Sequence, residues 1–174
     1  MEPKILYTEK QRFTQWWFWL IVIGINIVFV IGNYQQVICG KTFGDHPMSN
    51  NGLLIGFGIT LAVTYFLINI RLETIVKEDG VYFRFFPIHL AFKKYSWERI
   101  DKIFVRQYKP IPEYGGWGIR YGIFGSGMAY NIKGNKGIQL IFTDGSRLLI
   151  GTQNPTEITT VLEHIQAIEH KTKA

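Results

Sequence analysis

The sequence predicts a membrane-anchored α+β protein, in which a two-helix transmembrane hairpin precedes one β-rich domain with a C-terminal capping helix. Three observations predict it. Two stretches, Phe13 to Gly40 and Pro47 to Ile70, contain no charged residue. From Arg71 onward the apolar residues change from helical to strand-like periodicity. A final apolar stripe, Ile158 to Ile168, returns to helical spacing.

The 174 residues allow one domain, or one domain with an appendage. With 18% charged and 47% apolar residues, the composition excludes a disordered chain. The single cysteine, Cys39, excludes an internal disulfide framework and any zinc site built from several thiolates. Residues 1–13 read as a cytoplasmic tail, 14–70 as the hairpin, and 71–174 as the cytoplasmic domain.

The first apolar run is WWFWLIVIGINIVFVIG, from Trp16 to Gly32. The second is LLIGFGITLAVTYFLINI, from Leu53 to Ile70. Each covers roughly 26 Å as a helix, and uncharged flanks extend it to the roughly 30 Å of a bilayer core, giving spans at about 14–34 and 51–70. Helices apolar all round need protein or lipid on every side. The remaining chain is too short to wrap both and fold separately. Trp16, Trp17, Trp19 and Tyr34 bracket the first span, and Tyr65 and Phe66 sit in the last turns of the second, as suits headgroup-level aromatics. Gly24, Gly56 and Gly58 permit close helix contact. Asn26 is the one amide deep in the first span, placed to bond a neighbouring helix or to line a polar path. The first run is too long for a signal peptide's apolar region, and no small-residue cleavage pattern follows it.

Lys4, Lys10 and Arg12 precede the first span, and Arg71, Lys77 and Arg84 follow the second. The intervening loop carries only Lys41. This asymmetry puts both termini in the cytoplasm and the loop outside, as expected for a multi-pass protein of the inner membrane.

The domain opens with strands Leu72 to Lys77 and Val81 to Phe86 around Asp79-Gly80, a hairpin-forming pair. Pro87 ends the second strand. Further strands are expected at Phe92 to Trp97, Ile103 to Tyr108, Trp117 to Tyr121 and Met128 to Ile132. Gly137 to Thr143 and Ser146 to Ile150 form a second hairpin around Asp144-Gly145. In the closing helix Asn154 is placed to cap, Pro155 suits the first position, and Glu157 completes a capping-box-like spacing. Its apolar stripe is Ile158, Val161, Leu162, Ile165 and Ile168, which must bury against the sheet or a partner.

Three places carry a resemblance: the Asp79-Gly80 hairpin, the run YSWERIDKI from Tyr95 to Ile103, and the run DGSRLLIGT from Asp144 to Thr152. Their order, behind two membrane helices, resembles a bacterial pleckstrin-homology-like domain over roughly Leu72 to His170. The resemblance implies a partly open β-barrel of about seven strands with one end plugged by the C-terminal helix. It implies binding or scaffolding rather than catalysis. One departure stands out. The long basic loop that cradles inositol phosphates in lipid-binding pleckstrin domains is here only Asp79-Gly80, preceded by Glu78. A two-residue acidic turn lacks the reach and the charge for a phosphate.

Two candidate sites follow. Tyr114, Gly115, Gly116, Trp117, Gly118 and Arg120 form a glycine-rich segment. It reads as a ligand or partner loop, with Trp117 as apolar anchor and Arg120 as anion contact, or as a bend where a barrel turns a corner. Neither a phosphate-binding loop nor a dinucleotide fingerprint is present there. Lys93, Lys94, Arg99, Lys102, Arg106 and Lys109 are dense in basic charge, with Glu98 and Asp101 between them. They read as a solvated mixed face or as contacts to anionic lipid headgroups. His46, His89, His164 and His170 lack metal-ligand spacing, and no serine lies in a nucleophile elbow, so no catalytic set, metal or cofactor is expected. Expected partners are membrane lipids, a second copy or another membrane protein, and not nucleic acid. The functional expectation is a membrane-held scaffold. A transport-complex subunit working through its hairpin is the alternative, and an enzyme using the Tyr114–Arg120 segment is a third class.

Overall fold

A computed structural model describes residues 3–122 and 125–173, with side chains described as far as 167. The protein is α+β, with two long apolar helices, two sheets and a C-terminal helix. It divides into two compact units. One is Phe13–Asn69; the other joins Met1–Arg12 to Ile70–Ala174.

The first unit is the helical hairpin. Helix α1 spans Trp16–Asn33 and continues as a π-helical turn over Tyr34–Ile38. Helix α2 spans Asn50–Asn69. Both are long and apolar enough to cross a membrane. Gly32 is the only buried residue of α1, and Leu53 the only one of α2. Leu20, Ile27, Ile55 and Ile59 are all more than half exposed, the reverse of core helices in a water-soluble fold. Asn26 donates from Nδ2 to Thr64 Oγ1 at 2.9 Å, joining the helices. Gly56 seats the Phe29 ring, whereas Gly24 and Gly58 face open space. Of the three glycines, then, only Gly56 mediates close helix contact.

The second unit begins where a tail was expected. Residues Ile5–Arg12 form strand β1, antiparallel to β2 at Arg71–Lys77. Hydrophobic alternation does not reveal β1, because its inward residues are Tyr7, Glu9 and Gln11. Strand β3 (Gly80–Phe86) pairs with β2 across a two-residue turn at Glu78-Asp79, one residue earlier than the Asp79-Gly80 pair suggests because Gly80 already pairs with Lys77, and β4 (Lys93–Tyr95) pairs with β3. Gly80 has φ 147°, and a side chain there would strike the Tyr95 carbonyl, so this turn demands glycine. The first sheet has the order β1-β2-β3-β4.

The second sheet has the order β5-β8-β9-β7-β6. Its strands are β5 (Ile100–Gln107), β6 (Gly118–Tyr121), β7 (Met128–Asn131), β8 (Lys136–Phe142) and β9 (Arg147–Gly151). All pairs are antiparallel except β7 with β9. The third expected strand is shorter than the sequence suggests, because Trp97–Arg99 coil into a 3-10 turn. The described residues hold nine strands in two sheets, more than the seven or so expected, and the sheets are not a closed barrel.

The core lies between the sheets. Phe83 packs on Tyr130 with ring centroids 4.7 Å apart, and Tyr95 on Phe142 at 4.8 Å. Leu72, Val76, Val81, Ile138, Leu140 and Ile150 are sealed from solvent. Helix α4 (Pro155–Lys173) buries Ile158, Leu162 and Ile165, while Val161 is partly exposed and the side chain of Ile168 lies outside the described residues. It lies against β5 and β1, one edge strand from each sheet. The other sheet ends are the shorter strands β4 and β6.

Candidate functional site

The glycine-rich segment is built on a second, smaller core. Helix α3 (Pro110–Tyr114) follows β5, and Gly115 ends it in the left-handed region at φ 70°. The Gly115 and Gly116 amides close onto the Ile111 and Pro110 carbonyls at 2.8 and 2.9 Å. This turns Tyr114 inward, where it clusters with Tyr108, Ala129 and Leu149. The two tyrosine rings meet edge to face, 5.9 Å apart. Burial pushes the Tyr108 phenol up to about 12, so it stays protonated.

Arg106 sews this cover to the sheet. Its Nε donates to Gln139 Oε1 at 2.9 Å, and its Nη2 donates to Glu113 Oε2 at 2.8 Å and to Tyr114 Oη at 3.2 Å. Burial opposes the charge on Arg106, yet the Glu113 carboxylate holds its pKa above the ordinary value. Burial likewise raises Glu113, but the Arg106 and Lys109 hydrogen bonds bring it below the usual carboxylate range. Arg106 is therefore committed to internal bonds.

The rest of the segment mixes commitment with exposure. Trp117 donates from Nε1 to the Gly134 carbonyl at 2.8 Å, while its ring remains 40% exposed. The Gly118 amide donates to Asn131 Oδ1 at 2.8 Å. Arg120 folds back, its Nε donating to the Trp117 carbonyl at 2.9 Å. Tyr121, on edge strand β6, is 79% exposed. The segment thus joins a structural plug, Tyr114, to an exposed aromatic edge at Trp117 and Tyr121.

The six basic candidates are spread over different elements. Lys93 and Lys94 lie on β4 of the first sheet, while Lys102 and Arg106 lie on β5 of the second. Lys93 Nζ is 5.6 Å above the Tyr130 ring. Lys94 donates to Asp79 Oδ2 at 2.5 Å, a bond that lowers the Asp79 pKa and raises that of Lys94. Arg99, Lys102 and Lys109 are exposed.

Two features escape the sequence. The first is Glu9, which is 7% exposed. It accepts from Tyr7 Oη at 2.6 Å, Thr152 Oγ1 at 2.7 Å and the Gln153 amide at 2.7 Å. Burial, and then the bond to Glu9, push the Tyr7 phenol far above its ordinary pKa. The available signal was the alternation of Tyr7, Glu9 and Gln11 in a short run, masked because two of the three are polar.

The second is a cross-strand charge cluster. Glu73 on β2 stands between Lys10 on β1 and Arg84 on β3 in register. It pairs with Lys10 at 3.4 Å, with Arg71 at 3.1 Å and with Arg84. Burial works to raise its pKa, but the Arg84 hydrogen bond and charge prevail and lower it.

Among the described residues, no group of three or more His, Cys, Asp or Glu side chains could hold a metal ion. No protein-family model matches the chain, and no curated protein matches it.

Proposed function

We propose that this chain is a non-catalytic, membrane-anchored module of pleckstrin-homology-like design. It holds its β unit at the cytoplasmic face of the inner membrane, with both termini cytoplasmic, and presents a surface for lipid or protein partners. One observation carries the reading: an apolar hairpin with almost no buried residue is inserted between β1 and β2, two strands paired with each other. Arg12 and Arg71 are direct cross-strand neighbours, so the chain leaves and re-enters the sheet at one end. That geometry suits a two-span anchor whose ends emerge on one side of a bilayer. Two packed sheets with a C-terminal helix are consistent with the pleckstrin-like design. The exposed ring of Tyr121 on edge strand β6 supports an interaction edge there.

The test places a photo-crosslinking amino acid at Tyr121 in the full chain in living cells. Crosslinks to lipid or protein are expected, and they should persist when residues 13–70 are exchanged for an unrelated two-span hairpin. Their absence contradicts an interaction edge at β6. Their loss with the exchanged hairpin assigns binding to the hairpin itself, as in a transport-complex subunit.

A further inference from the structure

The loop between β3 and β4 is apolar where it is most exposed. Ile88 is 55% exposed and Leu90 is 76% exposed. The loop is nevertheless ordered by internal bonds. The His89 amide donates to the Phe85 carbonyl at 2.8 Å, and the Phe85 amide donates back to His89 Nδ1 at 3.3 Å. The His89 ring turns inward onto Tyr130, with centroids 5.3 Å apart. Arg84 donates from Nη1 to the Leu90 carbonyl at 3.4 Å and lies 4.5 Å above the Phe92 ring. Ile88 and Leu90 are therefore held out by a fixed frame that spends His89 inside.

The sheet register locates this loop. Arg12 pairs with Arg71, and Arg71 pairs with Phe86. The loop starts immediately after Phe86, at the same end of the first sheet where the chain leaves for α1 and returns from α2. Only Ile70 separates Arg71 from the end of α2, so Arg71 lies within roughly 7 Å of that helix end along the chain. The acidic Glu78-Asp79 turn is at the opposite end, about 20 Å away along seven-residue strands.

The charge agrees with the position. Arg12, Arg71 and Arg84 cluster at this end, Lys93 follows the loop, and Glu73 is the acid paired among them. Arg71 also stacks on Phe86 at 4.3 Å. Exposed aliphatic tips framed by arginines suit a bilayer interface, where apolar groups enter the acyl boundary and cations meet anionic headgroups.

We propose that the β3–β4 loop is a second membrane contact, in which Ile88 and Leu90 enter the headgroup–acyl boundary of the bilayer that holds the hairpin. This inference rests on the anchoring proposed above, and adds to it a second point of lipid contact. The loop, rather than the basic run from Lys93 to Lys109, is then the lipid-facing surface.

The test uses the full chain carrying Cys39→Ser, reconstituted in vesicles that contain anionic lipid and a lipid-borne nitroxide quencher. A fluorescent probe is attached at Leu90→Cys, Glu78→Cys or Ile25→Cys in turn. Quenching several-fold stronger at Leu90 than at Glu78 is expected, with strong quenching at Ile25. Quenching at Ile25 without quenching at Leu90 overturns the loop contact and leaves the anchor standing. Equal quenching at Leu90 and Glu78 also overturns it, because the unit would then have no lipid-facing end. No quenching at Ile25 removes the anchor, and the inference with it.

Discussion

Glu9 accepts a hydrogen bond from the Thr152 hydroxyl at 2.7 Å, across 143 residues of sequence. The bond fastens the first strand to the segment that opens the last helix. With Tyr7 and the Gln153 amide, it gives a buried carboxylate three donors. Gln11 adds a third tie between the two segments, donating from Nε2 to the Gly151 carbonyl at 2.6 Å. Ile5–Arg12 is thus an integral strand, and the two long apolar helices are an insertion within the β unit.

Removing the carboxylate leaves buried donors without an acceptor. Glu9→Ala should destabilise the β unit by about 2–3 kcal/mol, since hydrogen bonds to a charged group and unpaired donors both count. Denaturant titration followed by tryptophan fluorescence measures it. A loss within experimental error would show that β1 is not held by this network.

The register also defines a water-soluble form. Because Arg12 faces Arg71, replacing residues 13–70 with Asn-Gly should close β1 and β2 into a two-residue hairpin. That variant should fold without detergent, with dispersed amide resonances. A fragment starting at Leu72 should fare much worse, because it lacks β1 and strands the partners of Glu9. Equal folding of the two would contradict the role given to the first strand.

Arg106 is the stitch of the smaller core. Arg106→Ala should cost about 1–2 kcal/mol, because it breaks partly exposed bonds to Glu113, Tyr114 and Gln139 together. Glu113→Ala should cost less, and a double-mutant cycle should show the two coupled. Full additivity would mean that the Arg106–Glu113 ion pair contributes nothing to holding α3 down.

Acid should weaken the first sheet. Lys10, Arg71 and Arg84 hold the folded Glu73 carboxyl below its ordinary pKa. The unfolded state therefore takes up a proton first as pH falls. The resulting stability is complete above the usual carboxylate range and is lost as pH drops through the lower folded value. Glu73→Gln should flatten that part of the pH–stability curve while leaving the neutral-to-alkaline part parallel to wild type. An unchanged acid limb would remove Glu73 from the account.

Much of this architecture was legible beforehand. The hairpin could be read from two long uncharged runs, and the β2–β3 and β8–β9 turns from Asp-Gly pairs flanked by β-rich residues. Helix α4 announced itself through Pro155 and the Ile158, Leu162 and Ile165 spacing. Strand β1 did not, because Glu9 and Gln11 occupy inward positions that pattern reading assigns to solvent. Nor did the plug at Tyr114, whose burial depends on the distant Ala129 and Leu149. The glycine-rich segment stands out in the sequence, but how its residues divide between structure and surface depends on the bonds that Arg106 and Gly134 take up. The six basic residues are near one another in sequence, and the structure distributes them over β4, β5 and the segments around them.

The most direct test of the anchored hairpin is labelling of Cys39, exposed between the two long helices, with a thiol reagent that cannot cross the inner membrane. In intact cells Cys39 should react, while a cysteine placed at exposed Asp144 in a Cys39→Ser chain reacts only after permeabilisation. Labelling of Cys39 only after permeabilisation, or of Asp144→Cys in intact cells, would contradict a two-span anchor with its β unit inside.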